Sequence, residues 1–271
     1  MSDPLLLATS AFFVTLLLLL ALVPLAARVG LVDEPDHRKP HKGRIPLVGG
    51  LAIFLCFVVH VLVFGWPETT DLGATPRIIM AFLLGAALLV ATGIIDDLRG
   101  MSVRARVTLE VVVALIIIEG IGLKLQNLGD LVGLGPVLLA DWVAYPFLVI
   151  AFFGIINAYN MLDGMDGLLS FNMLITLVAF CVLGSVTPGP AIIIIAGSLL
   201  AFLLSNLALL PGIPKTFLGD AGSKFLGLIV VCILVIAASS SIGEKEMAPV
   251  TALYVAGLPL MDMVFVTLKR V

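Results

Sequence analysis

The sequence predicts an all-α protein, a polytopic bundle of about nine transmembrane helices that forms a single integral membrane domain over residues 1–271. Hydrophobic residues make up 61% of the chain and charged residues 12%, and the mean hydropathy is +1.22. A soluble domain is much less apolar than this. Apolar runs of about 20 residues, the length that crosses a hydrocarbon core of about 30 Å, also recur along the chain.

The predicted helices are these apolar runs, taken in chain order. Lipid offers no hydrogen-bond partners to the backbone, so a run within it forms a helix. The first run follows Asp3 with no Lys or Arg before it, which indicates a retained helix rather than a signal peptide. The fourth run is the shortest. The runs lie at about 4–27, 48–65, 77–95, 107–119, 139–157, 168–184, 191–210, 222–240 and 248–267.

The basic residues predict the orientation of the bundle. If the N-terminus lies outside, only three of the 15 Lys and Arg residues, Arg77, Lys124 and Lys245, fall on the outer side. Cytoplasmic connections carry an excess of Lys and Arg. We therefore expect a protein of the inner (plasma) membrane whose polar face lies in the cytoplasm.

Four connections on that face carry more polar groups than linkers need. Each acidic group has a simpler explanation by itself, as a solvated helix end or an N-cap. Three acidic clusters beside glycines on one face indicate a functional site instead. The connections are "VDEPDHRKPHKGRIPLVGG" at 32–50, "IIDDLRG" at 94–100, "NAYNMLDGMDGLL" at 157–169 and "KTFLGDAGSKFLG" at 215–227.

The residue types in these connections suit a metal ion and phosphate groups. Mg²⁺ prefers oxygen ligands and completes its shell with water and substrate phosphate. Neighbouring Lys and Arg suit the phosphates themselves. The sequence therefore predicts Mg²⁺-dependent chemistry on a diphosphate, with Mn²⁺ as the alternative ion.

The third connection has a period of three that a straight helix does not accommodate. Asn157, Asn160, Asp163 and Asp166 would drift by about 60° per step around a helix of 3.6 residues per turn. We therefore predict a break near Gly164, with the two asparagines ending one helix and the two aspartates beginning the next.

Three motifs, "DDLRG", "NAYNMLDGMDGLL" and "FLGDAGSKFLG", in this order between membrane helices, resemble those of the polyprenyl-phosphate N-acetylhexosamine-1-phosphate transferases. "LVDEPDHRKPHKGRIPLVGG" and "GLPLMDM" are most similar to undecaprenyl-phosphate N-acetylglucosamine-1-phosphate transferases. The phospho-MurNAc-pentapeptide translocases usually carry "PTMGG" where this chain has "IPLVGG", so they are the second choice. The resemblance implies transfer of a sugar 1-phosphate from a UDP-sugar to a polyprenyl phosphate, with Mg²⁺ required and no nucleic acid involved.

The resemblance also implies the roles of individual residues. The expected Mg²⁺ ligands are Asn160 and Asp220. The expected catalytic acids are Asp96, Asp97, Asp163 and Asp166, with one of the first pair as the base for the lipid phosphate. The expected substrate-binding residues are Lys42, Arg44, Arg104, Arg106 and Asn157.

Several alternatives stay open at this point. The family continues beyond the ninth helix with another cytoplasmic loop and more helices, so the resemblance implies that this chain is truncated, and it leaves the donor sugar open. A transporter would place charges near mid-membrane, where Glu110 and Asp262 are the candidates, although a site wall or a helix partner suits them better. Intramembrane prenyltransferases and CDP-alcohol phosphotransferases use different acidic motifs. Direct transfer, a covalent intermediate on Asp220 and a homodimer are all compatible with the sequence.

Overall fold

The computed structural model describes residues 3–35, 43–64, 75–130, 133–183, 189–239 and 248–270. These residues form ten helices and one pair of short strands. The helices are α1 (Pro4–Val29), α2 (Gly49–Phe64), α3 (Pro76–Arg99), α4 (Val103–Ile121), α5 (Asp141–Leu162), α6 (Leu168–Val182), α7 (Pro190–Asn206), α8 (Gly219–Ala238), α9 (Pro249–Val255) and α10 (Gly257–Arg270).

The predicted all-α class is confirmed, and each predicted run is helical. The ninth run differs, because it is divided into α9 and α10, which are bent by 73° at Ala256. By length and composition, α1, α3, α5 and α8 are able to cross a membrane, and the bent pair is a fifth candidate. Helices α2, α6 and α7 are apolar but shorter, at 16, 15 and 17 residues.

The first polar connection contains a strand pair that the hydrophobic pattern does not predict. Strand β1 (Val32–Asp33) pairs antiparallel with β2 (Ile45–Pro46). The backbone around β2 also bonds the fourth connection, since the N–H of Phe217 donates to the carbonyl of Pro46 at 2.9 Å. These bonds hold the first connection against the start of α8.

Helix α8 lies at the centre of the bundle, and small residues bring its first turn against two other helices. A Cβ atom on Gly50 of α2 would lie 2.1 Å from the Cα of Gly222. One on Gly93 of α3 would lie 2.3 Å from the backbone nitrogen of Ala221. Glycine therefore allows the backbones to touch at these crossings, and Asp220 is held where α2, α3 and α8 meet.

Candidate active site

A cavity of about 940 Å³ lies at the end of the bundle where the four polar connections meet. All four connections contribute to its lining, so they lie at one end of the bundle, as their predicted location on one face requires. Its polar lining residues are Asp33, Asp96, Asp97, Asn160, Asp163, Asp166, Asn206, Lys215 and Asp220. Six predicted site residues from three connections are thus brought together.

The junction of Asp97, Asn160 and Asp220 lies in the lining of this cavity. The backbone N–H of Asp220 donates to Oδ2 of Asp97 at 3.0 Å. The side-chain amide of Asn160 donates to Oδ1 of Asp220 at 3.1 Å and to Oγ of Ser223 at 2.9 Å. Asp220 also lies in the first turn of α8, where the helix dipole stabilises a negative charge.

Gly219 makes this junction compatible with the backbone. Its φ of +74° is in the left-handed region, and a Cβ atom there would lie 2.8 Å from Oδ2 of Asp97. Any other residue would be strained at this position and would also crowd the carboxylate. The left-handed backbone and the closeness of Asp97 thus explain why a glycine precedes Asp220.

The two adjacent aspartates at the end of α3 have different surroundings. Asp96 accepts a hydrogen bond from the backbone N–H of Met101 at 2.7 Å and forms an ion pair with Arg106 at 3.1 Å. Its side chain is 8% exposed. Asp96 therefore holds the turn between α3 and α4 closed, whereas Asp97 faces the junction with Asp220.

The predicted break in the third connection is confirmed, but one detail of it was wrong. Helix α5 ends at Leu162 and α6 begins at Leu168. Asp163 and Asp166 lie in the turn between them rather than in the first turn of α6. The reason is Gly167, which precedes α6 with a left-handed φ of +74°.

Asn206, at the end of α7, is a site residue that the sequence analysis missed. Its Oδ1 accepts a hydrogen bond from the N–H of Gly167 at 2.7 Å, and its Nδ2 donates to the carbonyl of Thr216 at 3.0 Å. It therefore joins the third connection to the fourth. The available signal was the polar pair in "LLSNLA" at the end of an apolar run.

The predicted phosphate-binding residues are more dispersed than the acids. Arg106 pairs with Asp96, and Arg104 is exposed on the first turn of α4. Arg44 pairs with Glu34 at 2.8 Å, with 72% of its side chain exposed, and lines a separate groove of about 430 Å³. Lys42 lies outside the described residues.

The positions of Asn157 and Lys215 also differ from the sequence-based assignment. Asn157 lies away from the cavity lining, and its amide donates to Oε2 of Glu110 at 2.6 Å. Lys215 was not assigned to the site, but it lines the cavity and forms an ion pair with Asp166. This pair links the third and fourth connections at the cavity wall.

The chemistry of the junction fits Mg²⁺ bound together with a substrate. Within the described ranges, no group of three or more His, Cys, Asp or Glu side chains is arranged to hold a metal ion. A magnesium site that uses substrate phosphates needs only one or two carboxylates, with water in the remaining positions. The carboxylate of Asp220 beside the amide of Asn160, and Asp97 next to them, match that smaller set.

Comparisons with known proteins agree with this architecture. The family profile described as Glycosyl transferase family 4 matches residues 79–238. The undecaprenyl-phosphate alpha-N-acetylglucosaminyl 1-phosphate transferase of Escherichia coli (strain K12) is 33% identical over 271 residues, which cover 96% of this chain and 69% of that protein. The Yersinia pestis protein of the same name is 33% identical over 251 residues, covering 90% and 65%.

A relative from a different bacterium is similar to the same extent. The probable undecaprenyl-phosphate N-acetylglucosaminyl 1-phosphate transferase of Bacillus subtilis (strain 168) is 31% identical over 269 residues, covering 96% of this chain and 71% of that protein. The resemblance drawn from the three polar motifs is therefore confirmed. This chain belongs to glycosyl transferase family 4, and it is an integral membrane enzyme of that family.

Proposed function

We propose that the protein transfers a sugar 1-phosphate from a cytosolic UDP-sugar to undecaprenyl phosphate. The proposed group is GlcNAc-1-phosphate. The products are undecaprenyl-diphosphate-sugar and UMP, and the reaction requires Mg²⁺ and begins the synthesis of a cell-envelope polysaccharide. The observation that carries the proposal is the cavity where acids and amides from three connections meet at one end of a membrane bundle. The names of the relatives support the acceptor and the sugar.

The proposed reaction has an electrostatic barrier, because a lipid phosphate and a UDP-sugar are both anions. An oxygen of the lipid phosphate attacks the phosphorus that carries the sugar. The bond from that phosphorus to the bridging oxygen breaks, and UMP leaves with the electron pair. Positioning and charge stabilisation dominate such transfers.

We assign Asn160 and Asp220 to Mg²⁺, which when bound would neutralise the diphosphate charge. Asp97 is the base for the lipid phosphate, because its partner Asp96 is already occupied by Met101 and Arg106. Asp163, Asp166 and Lys215 also line the cavity and are assigned to the donor. Arg44, Arg104 and Arg106 lie outside the lining, and their role as phosphate-binding residues stays a prediction.

The test is a transfer assay with purified protein in detergent. UDP-GlcNAc labelled in the sugar, undecaprenyl phosphate and Mg²⁺ are expected to give a labelled lipid and an equal amount of UMP. Excess EDTA is expected to abolish both products, and Mg²⁺ in excess over EDTA is expected to restore them. Product formation that is insensitive to EDTA would contradict the metal requirement.

A panel of donors tests the sugar. UDP-GlcNAc is compared with UDP-MurNAc-pentapeptide and other UDP-sugars at equal concentration, with the lipid-linked product as the readout. Turnover of UDP-MurNAc-pentapeptide without turnover of UDP-GlcNAc would replace the proposed donor by the second choice.

Omission of the lipid tests the order of the steps. Direct transfer predicts no UMP release when UDP-GlcNAc is incubated without undecaprenyl phosphate. Stoichiometric UMP release with label retained on the protein would instead show a covalent intermediate, for which Asp220 is the candidate.

A further inference from the structure

Lys224 is a buried cation that lies next to the cavity but does not line it. It is one turn after Asp220 on α8, and 1% of its surface is exposed. Within the described part of the chain its Nζ atom has no hydrogen-bond partner. Three carboxylates surround it instead, with Oε1 of Glu110 at 3.4 Å and an oxygen of Asp96 and of Asp220 at 3.8 Å each.

Glu110 is the second buried charge of this cluster. It is 1% exposed on α4, and its other oxygen accepts the hydrogen bond from Asn157 of α5. Asn157 is itself held by a bond to the carbonyl of Phe153 at 2.9 Å. Glu110 therefore lies beside the ammonium group, with its other oxygen bonded to a neighbouring helix.

Neutralisation of Glu110 alone does not account for the position of Lys224. A buried ion pair of that kind is commonly replaced by apolar residues without loss of stability. The Nζ atom is nearly equidistant from three carboxylates, and two of them, Asp96 and Asp220, line the cavity. Its charge thus acts on the acids of the site as well as on Glu110.

We propose that Lys224 is a positioning residue for the reaction, a fixed internal cation beneath the cavity that holds the carboxylates of Asp96 and Asp220 close together against their mutual repulsion. Glu110 balances part of the ammonium charge from α4. The cation approaches Oδ2 of both carboxylates, whereas the hydrogen bond from Asn160 reaches Oδ1 of Asp220. This inference rests on the proposed transfer reaction for its kinetic test, but not for its test by stability.

The proposal predicts an asymmetry between the two members of the buried pair. Lys224→Met removes the cation from all three carboxylates, and kcat is expected to fall by about 100-fold, as expected for a misplacement of about 1 Å at a reacting group. Glu110→Gln retains an oxygen for Asn157 and leaves Lys224 beside Asp96 and Asp220, so kcat is expected to stay close to that of the wild type. Equal loss of kcat in the two variants would overturn the proposal.

The double variant Lys224→Met/Glu110→Gln separates positioning from folding. It removes both buried charges, so its thermal midpoint in detergent is expected to be higher than that of Lys224→Met. Its kcat is expected to stay as low as that of Lys224→Met, with the donor KM little changed. Recovery of kcat together with stability would show a purely structural pair and would overturn the proposal.

Leu234→Ala serves as the matched control for lost stability. Leu234 is buried on the same helix, ten positions beyond Lys224 and away from the cavity lining. Its substitution is expected to lower the thermal midpoint and leave kcat unchanged. If it lowers kcat as much as Lys224→Met does, general destabilisation explains the effect and the proposal is overturned.

A stability cycle tests the contact without any enzyme activity. Thermal midpoints are measured for wild type, Lys224→Met, Asp220→Asn and the double variant. Direct interaction predicts that the two single effects do not add, because each variant removes the partner of the other. Additive effects would overturn the inference, whereas absence of sugar transfer by the wild type would overturn only the proposed function.

Discussion

Asp96 and Asp97 are adjacent in the sequence, yet their carboxylates have different partners. Neighbouring side chains on a helix are about 100° apart, so the end of α3 directs one acid to Arg106 and the other to the backbone of Asp220. The motif "DDLRG" predicts an acidic pair but does not say which member contacts the start of α8. That difference separates an acid that holds the turn between α3 and α4 from an acid that contacts the start of α8.

Asp97→Asn is expected to lower kcat by about 100-fold or more, the contribution of a positioned general base. The thermal midpoint is expected to change little, because the new amide oxygen still accepts from the N–H of Asp220. Asp96→Asn is the comparison, and it is expected to lower the thermal midpoint more, since it weakens the charged contact with Arg106. The opposite ranking, with kcat retained in Asp97→Asn, would assign the base role to Asp96.

Asn206→Ala tests the link between the third and fourth connections. The substitution removes two buried hydrogen bonds and leaves the N–H of Gly167 unsatisfied, at an expected cost of about 1–3 kcal/mol. The free energy of unfolding and the donor KM are the measurements, and KM is expected to rise because Asp163 and Asp166 lie in the turn that Asn206 holds.

Asn172→Ala is the control for that prediction. The Oδ1 atom of Asn172 on α6 is buried without a hydrogen-bond partner among the described residues, so its loss is expected to be nearly neutral. Equal effects of the two substitutions on the free energy of unfolding and on KM would show that the hydrogen bonds of Asn206 do not stabilise the link.

At the scale of elements, the site is built from ends of helices rather than from their middles. One cavity is lined by the end of α3, the end of α5 and the start of α8. The strand pair β1–β2 is joined to this group by the hydrogen bond between Pro46 and Phe217. Helix ends carry unpaired backbone groups and turns, so polar side chains and glycines concentrate there. This explains why the acids of an apolar chain occur in short clusters between its spans.

Gly219→Ala tests whether the close approach of the start of α8 to Asp97 is required. The substitution places a side chain at a left-handed φ and 2.8 Å from the carboxylate, at an expected cost of about 1–3 kcal/mol and with a large loss of kcat. Gly154→Ala, within α5, is the matched control, because a Cβ atom there meets nothing within 4 Å. That variant is expected to be neutral or more stable by up to about 1 kcal/mol. Unchanged activity of Gly219→Ala would contradict the close packing at this junction.

At the scale of the whole molecule, the charge distribution predicts which end of the bundle faces the cytoplasm. Arg99 lies at the cavity end of α3, and Lys124 follows the opposite end of α4; both side chains are exposed. Single cysteines at these positions, in a background without the natural cysteines, are treated in intact cells with a membrane-impermeant maleimide. Lys124→Cys is expected to react and Arg99→Cys to react only after lysis. The reverse pattern would place the cavity outside and exclude a cytosolic donor.

Much of this architecture was predictable from the sequence, because the relevant forces are local. Each apolar run became a helix, and the period of three between Asn157 and Asp166 correctly predicted a break. The bend between α9 and α10 and the strand pair β1–β2 were not predicted, since neither leaves a periodic signal. Asn206 and Lys215 were missed because their roles depend on partners that are distant in the chain.

The sequence by itself determined the membrane helices, the clustering of acids at their ends and the kind of chemistry those residues suit. Lipid leaves the backbone no hydrogen-bond partner except its own helix, so composition alone is sufficient for that inference. Only the tertiary structure decided which acids share a junction, that Asn157 contacts Glu110 rather than the cavity, and that Lys224 lies among three carboxylates. These outcomes depend on the rotation of each helix about its axis and on how closely its glycines allow it to approach its neighbours. Both depend on the packing of many side chains at once, so a single motif does not predict them.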